Sequence, residues 1–188
     1  MNVSATQLNT TGSNEGFVAT AYKDGFIGGV QQYSIGYGHQ IKSNEGGLRT
    51  ATLTKAQALA YLKADMQTVV NYINAYSKKT LNQNQFDALA DFGFNCGTGA
   101  LGKVLDTLNT KGYDAVPAHI NQYVKSGNPA TTNPTLVKRR AQNVATWNGA
   151  VKYAVIGIIA VLLSLAYCYY QLENNKSIPF EEEIAMFV

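Results

Sequence analysis

From residue 153 to residue 170 the chain reads YAVIGIIAVLLSLAYCYY, eighteen positions without a charge. Carried to Leu172, the run is long enough to form about 30 Å of helix at roughly 1.5 Å per residue, the thickness of a bilayer core. Tyr153 lies at one end and Tyr167, Tyr169 and Tyr170 at the other, where interfacial aromatics belong. The competing reading is a buried core helix, although such helices rarely go so far without a charge. The run lies at the wrong end of the chain for a signal peptide, and the N-terminus has neither a basic nor an apolar leader region. The sequence therefore predicts a single transmembrane helix at 153–172, contacting a lipid membrane, and a short polar and acidic tail at 173–188. Ala160, Ser164 and Cys168 recur every four residues within it. Small residues at that spacing let membrane helices approach closely, so a homo- or hetero-oligomer through this helix is an expectation.

The net charge of +3 describes neither part of the chain. Residues 1–152 hold 14 Lys and Arg against 8 Asp and Glu, a net +6, whereas residues 153–188 hold one Lys and four Glu, a net −3. Charge and apolar content together exclude a disordered chain. Two cysteines, Cys96 and Cys168, make neither a disulfide scaffold nor a four-ligand zinc site. With only His39 and His119 besides, no metal or other cofactor is expected. No basic–aromatic stripe or nucleic-acid motif stands behind the positive head, so no nucleic acid partner is expected. Lys138, Arg139 and Arg140 read as a solvated face, with attraction to an anionic surface as the functional reading. Counted with Lys152 against Lys176 beyond the span, they favour a cytoplasmic head.

The head reads as an α+β domain. Residues 22–41 alternate apolar and polar positions among glycines, which suggests a twisted hairpin or small sheet. Thr54 and Gln57 form a capping box, and Leu59, Leu62, Met66, Val69, Ile73 and Tyr76 follow at helical spacing. Asn82 and Gln85 repeat the box ahead of Phe86 and Leu89. A short helix over 103–109 has Gly112 beyond its end, and Asp114 is placed to cap the next. Asn133-Pro134 opens a last helix that stops near Gly149. Phe86, Phe92, Phe94 and Trp147 are assigned to the core, Cys96 to a buried inert thiol and Cys168 to the lipid face. His39 is assigned to orienting the hairpin through an ion pair.

Glutamate is scarce in the head: only Glu15 and Glu45 precede residue 153. Glu15 stands nine residues before Asp24, flanking the glycine-rich region. Two carboxylates across a cleft suit glycosidic cleavage, one protonating the leaving oxygen and the other activating water or attacking. The surrounding text, EGFVATAYKD at 15–24 and YSIGYGH at 33–39, closely resembles the opening of phage-type lysozymes, glycoside hydrolase family 24. LNQNQFDALADFGFNCG at 81–97, and TLVKRR at 135–140 followed by Trp147, extend the resemblance in order from Asn14 to Gly149.

The resemblance implies a two-lobed lysozyme-like domain at 14–149, a small sheet lobe plus a helical lobe, preceded by an N-terminal segment at 1–13. It implies that Glu15 is the general acid, that Asp24 helps activate the attacking water, and that Ser34 occupies the family's threonine position. The family places that threonine six residues after the aspartate; here the gap is ten, read as a longer hairpin turn within 25–32. Lengthening a loop is mild, on the order of 0.6 kcal/mol per doubling. Ser34 keeps the hydroxyl but lacks the methyl that stiffens χ1. Inversion at the anomeric carbon is also implied, with carboxyls roughly 6.5–9.5 Å apart. The expected function is a membrane-anchored muramidase cutting the β-1,4 bond between N-acetylmuramic acid and N-acetylglucosamine in bacterial peptidoglycan. Its expected site is a virion membrane, with the host inner membrane as the alternative. The rival is a lysozyme-like structural or wall-binding protein with weakened catalysis.

Overall fold

The computed structural model describes residues 1–149 and, beyond them, Ser164, Leu165, Tyr167, Tyr169 and Tyr170, which are helical. The chain divides into two compact units, Met1–Asn148 and Gly149–Val188. Most of the expected span at 153–172, the Ala160 and Cys168 positions of its small-residue stripe, and the tail at 173–188 lie outside the described residues. Among the described residues no helix is long and apolar enough to cross a membrane.

The first unit opens with a helix, α1 (Ala5–Glu15), where the sequence reading had only an N-terminal segment. Ser4 caps it, accepting from the Gln7 amide, and its own amide and hydroxyl donate to Asp87 at 2.9 and 2.6 Å. The helix buries Gln7, Thr11 and Gly12, which have no apolar period, so no amphipathic stripe announces it. The folded unit therefore begins well before residue 14.

Strands β1 (Val18–Ile27), β2 (Val30–Gly36) and β3 (His39–Gln40) form one antiparallel sheet in that order. Gly28 and Gly29, both at positive φ, make the two-residue turn between the Ile27–Val30 pair. Lys23 pairs with Tyr33 and Phe26 with Gln31, so Asp24 and Gly25 together oppose Gln32 alone. This is a β-bulge, with Gly25 at φ 71°. The lengthened hairpin is thus bulged strand carried out to a tip of exposed Phe26, Ile27 and Val30.

A 3-10 segment (Ser43–Arg49) leads to α2 (Lys55–Asp65), which begins at the expected Thr54–Gln57 capping box. The single helical stripe read from Leu59 to Tyr76 bends at Met66, dividing α2 from α3 (Gln67–Tyr76). The ladder bonds persist through the bend, Met66 to Leu62 and Val70 to Met66, which is why the side-chain period runs through unbroken.

Asn82 caps α4 (Gln83–Lys111), which Gly97 interrupts at φ 79° and Gly112 ends at φ 87°. The short helix expected at 103–109 is the end of this longer element. Asp114 does not cap α5 (Val116–Ile120). A 3-10 turn intervenes, Ala115 is the capping position, and Pro117 removes one amide that a cap would have bonded. A small ribbon, β4 (Lys125–Ser126) with β5 (Thr131–Thr132), precedes α6 (Pro134–Trp147), whose first amides are capped by Asn133.

Two apolar clusters result, one per lobe. The larger joins α2 to α6 around Phe86, Leu89, Phe92, Leu101, Leu105 and Trp147; Phe94 and Cys96 pack against it half-buried. The smaller gathers Ile35, Leu53 and Ala58 beneath the sheet. Tyr37 packs on both, joining the lobes.

Candidate active site

Glu15 is the last residue of α1, and Gly16 turns the chain away at φ 79°. Its Oε1 accepts from Arg139 Nη1 at 2.7 Å. Arg139 lies on α6 and is buried, contrary to the solvated face read for it. Its Nε and Nη2 donate to the two oxygens of Asp91 on α4, at 3.2 and 3.0 Å. Asp91 also accepts from Thr11 Oγ1 at 2.8 Å and Asn143 Nδ2 at 2.7 Å. Burial opposes charge on Asp91. The hydrogen bonds and charge of Arg139, with those of Asn143 and Thr11, outweigh it and hold the carboxyl below the usual range. Burial likewise opposes charge on Arg139, yet Asp91 and Glu15 hold its guanidinium above its ordinary value.

Arg140 is also buried and reaches into the fold, donating to Asn95 Oδ1 at 2.7 Å and to Cys96 Sγ at 2.6 Å, with Phe92 under its guanidinium. Of the basic triplet, Lys138 alone is exposed. A run of three basic residues reads as surface because sequence does not show which helix face meets Asp91.

Asp24 stands in the β1 bulge. Its Oδ2 accepts from Ser34 Oγ at 2.6 Å, and Ser34 is fully buried. Ser34 pairs across the sheet with Tyr22, two residues before Asp24. Burial is the main cause that raises the Tyr22 phenol above its ordinary value; the charge of Asp24 adds to it, Ser34 opposes it, and the charge of Glu15 adds again. Of the three residues predicted from sequence, Asp24 and Ser34 are brought into direct contact, while Glu15 is held by Arg139 and its charge reaches Tyr22 as the last of these influences.

His39 orients the hairpin, as the sequence reading proposed, through both ring nitrogens. The buried ring places Nδ1 2.8 Å from Asp65 Oδ2 on α2 and Nε2 3.1 Å from Glu45 Oε2, with the Tyr61 ring tilted against it at 4.6 Å. It ties β3 to both following segments. The Lys42 amide, more than His39, keeps the Glu45 carboxyl below its usual range.

Sequence reasoning missed Arg139, Asp91 and Tyr22. Asp91 did leave a signal: it stands in the otherwise apolar LADF stretch, and a charge there requires a buried partner. Among the described residues no group of three or more His, Cys, Asp or Glu is placed to hold a metal ion.

Residues 12–143 match the phage lysozyme family. The endolysin of Bacillus phage PZA is 35% identical over 150 residues, 79% of this chain and 55% of that one. The endolysin of Salmonella phage P22 is 32% identical over 130 residues, 68% of this chain and 86% of that one. Among solved structures, a P22 lysozyme mutant superposes with a TM-score of 0.68 at 29% identity, covering 78% of this chain and 98% of that one. The muramidase domain of SpmX from Asticaccaulis excentricus gives 0.67 at 27%, covering 78% and 97%. The chain spans about half the length of the Bacillus phage endolysins that it matches.

Proposed function

This chain belongs to the phage lysozyme family, and from that we propose that it is an endolysin-type glycoside hydrolase acting on bacterial peptidoglycan. The observation that carries the reading is that Asp24 is held by the buried Ser34 hydroxyl at 2.6 Å while Glu15, at the end of α1, is held by Arg139 at 2.7 Å. Glu15 serves as general acid, giving its proton to the leaving glycosidic oxygen. Asp24 takes the proton of the attacking water. The Ser34 hydroxyl occupies Oδ2 of that carboxylate and leaves Oδ1 for the water. A water between the two carboxyls implies single-step inversion, which needs roughly 6.5–9.5 Å between them. The scissile bond in this reading is the β-1,4 link from N-acetylmuramic acid to N-acetylglucosamine.

The experiment is a zymogram on purified cell walls with Glu15→Gln beside the wild type. The amide is nearly isosteric but carries no acidic proton, and general acid catalysis is worth about 10²–10⁴-fold. A folded but inactive Glu15→Gln supports the reading. Near wild-type clearing removes Glu15 from the mechanism, and an inactive wild type leaves the wall-binding rival.

The uncharged run at 153–172 supports a membrane anchor, and a virion membrane is its proposed location. The burial of Arg139 and Arg140 takes both out of the flanking charge that had favoured a cytoplasmic head. Alkaline extraction of membranes from cells making the full chain tests the anchor: release into the soluble fraction rules it out.

A further inference from the structure

A general acid must hold its proton in the resting enzyme, yet a guanidinium within hydrogen-bond distance favours the carboxylate form. Glu15 faces Arg139 Nη1 at 2.7 Å. Asp91 on α4 stands behind Arg139 on α6, and the charges of Glu15 and Asp24 both reach Tyr22 on β1. Of these groups, only Arg139 carries positive charge.

The geometry points to Asp91 as the positioning residue that makes Glu15 usable as an acid: it takes two of the three guanidinium nitrogens of Arg139 and offsets its charge. Nε and Nη2 are turned onto Asp91, so Nη1 alone is left to Glu15. That division fixes the orientation of the Glu15 carboxyl. It also presents Glu15 with an ion pair in place of a bare cation. Thr11 and Asn143 both donate to Asp91, and hydrogen bonds to a carboxylate favour its ionised form, so the compensating charge persists across the working pH range. The inference rests on the proposed role of Glu15 and assigns Asp91 no contact with substrate.

The test is the pH dependence of kcat/KM for purified peptidoglycan, over the range in which each variant remains folded. Its alkaline limb reports the essential acid. In Asp91→Asn the size and shape are kept and the charge removed, with one oxygen and its two accepted hydrogen bonds lost. The alkaline limb is expected to move to lower pH by roughly one unit, the scale that an adjacent opposite charge imposes. In the double variant Asp91→Asn/Arg139→Gln no cation remains beside Glu15, and the limb is expected at or above its wild-type position. A merely structural role for Asp91 would lower the melting temperature and leave the limb where it was. A folded Asp91→Asn with the wild-type limb overturns the inference. If that variant does not fold, the double variant decides: a limb below the wild-type position overturns it. Glu15→Gln run in parallel separates the two readings. Retained hydrolysis there sinks the role of Glu15, whereas an inactive Glu15→Gln with an unmoved Asp91→Asn limb sinks only the role of Asp91.

Discussion

Ser34 meets Asp24 through one hydroxyl 2.6 Å from its Oδ2, inside a fully buried position. The β-methyl of threonine restricts χ1, so Ser34→Thr should keep or raise turnover by holding that oxygen in place. Ser34→Ala should lower kcat by more than its loss of stability accounts for. Steady-state rates beside urea titrations distinguish the two, and a fully active Ser34→Ala would mean that no hydroxyl assists Asp24. At Asp91 the same scale governs stability. Its folded pKa is depressed, so it contributes stability that is fully present above the unfolded carboxylate value of about 3.9 and is lost as pH falls through the folded value. Melting temperature should therefore fall with acid below about pH 4 more steeply in the wild type than in Asp91→Asn. Parallel curves would show that Asp91 is not ionised in the fold.

At the scale of elements, the sheet meets α2 where there is room for no side chain. Gly36 ends β2 at φ 70°, and a Cβ there would stand 2.9 Å from Ala58 Cβ. Gly36→Ala combines a left-handed backbone with a clash against helix, and should cost about 2–4 kcal/mol, read as a lowered urea midpoint. The hairpin tip is the opposite case. Phe26 is 70% exposed, so Phe26→Ser should change stability by less than about 0.5 kcal/mol. A larger loss would mean that the tip packs on something in solution. Caps were legible in advance at this scale. Thr54, Asn82 and Asn133 bond amides within three residues of themselves, and Gly112 ends its helix locally. The bend at Met66 was not legible, because the apolar period runs straight through it. Nor was α1, whose buried face is glutamine, threonine and glycine.

For the whole molecule, the first compact unit ends at Asn148 and the family match ends at 143. A chain stopped after Gly149 should unfold in one cooperative transition and clear cell walls as the full chain does. Loss of the transition would show that residues beyond 149 complete the core. Sequence alone determined what is local or carried as text: the α+β order, the starts of α2, α4 and α6, the hairpin, and the motifs that single out Glu15, Asp24 and Ser34 as candidates. Each follows from short-range backbone bonding or from motifs that lie contiguous in the chain. Tertiary structure alone decided how the charges pair. Thr11 reaches Asp91 across 80 positions and Arg139 reaches it across 48, separations at which no periodicity links the partners. Arg139, which reads as solvated surface, thereby becomes the buried support of Glu15, because burying a charge between packed helices is costly unless the fold supplies a partner for it.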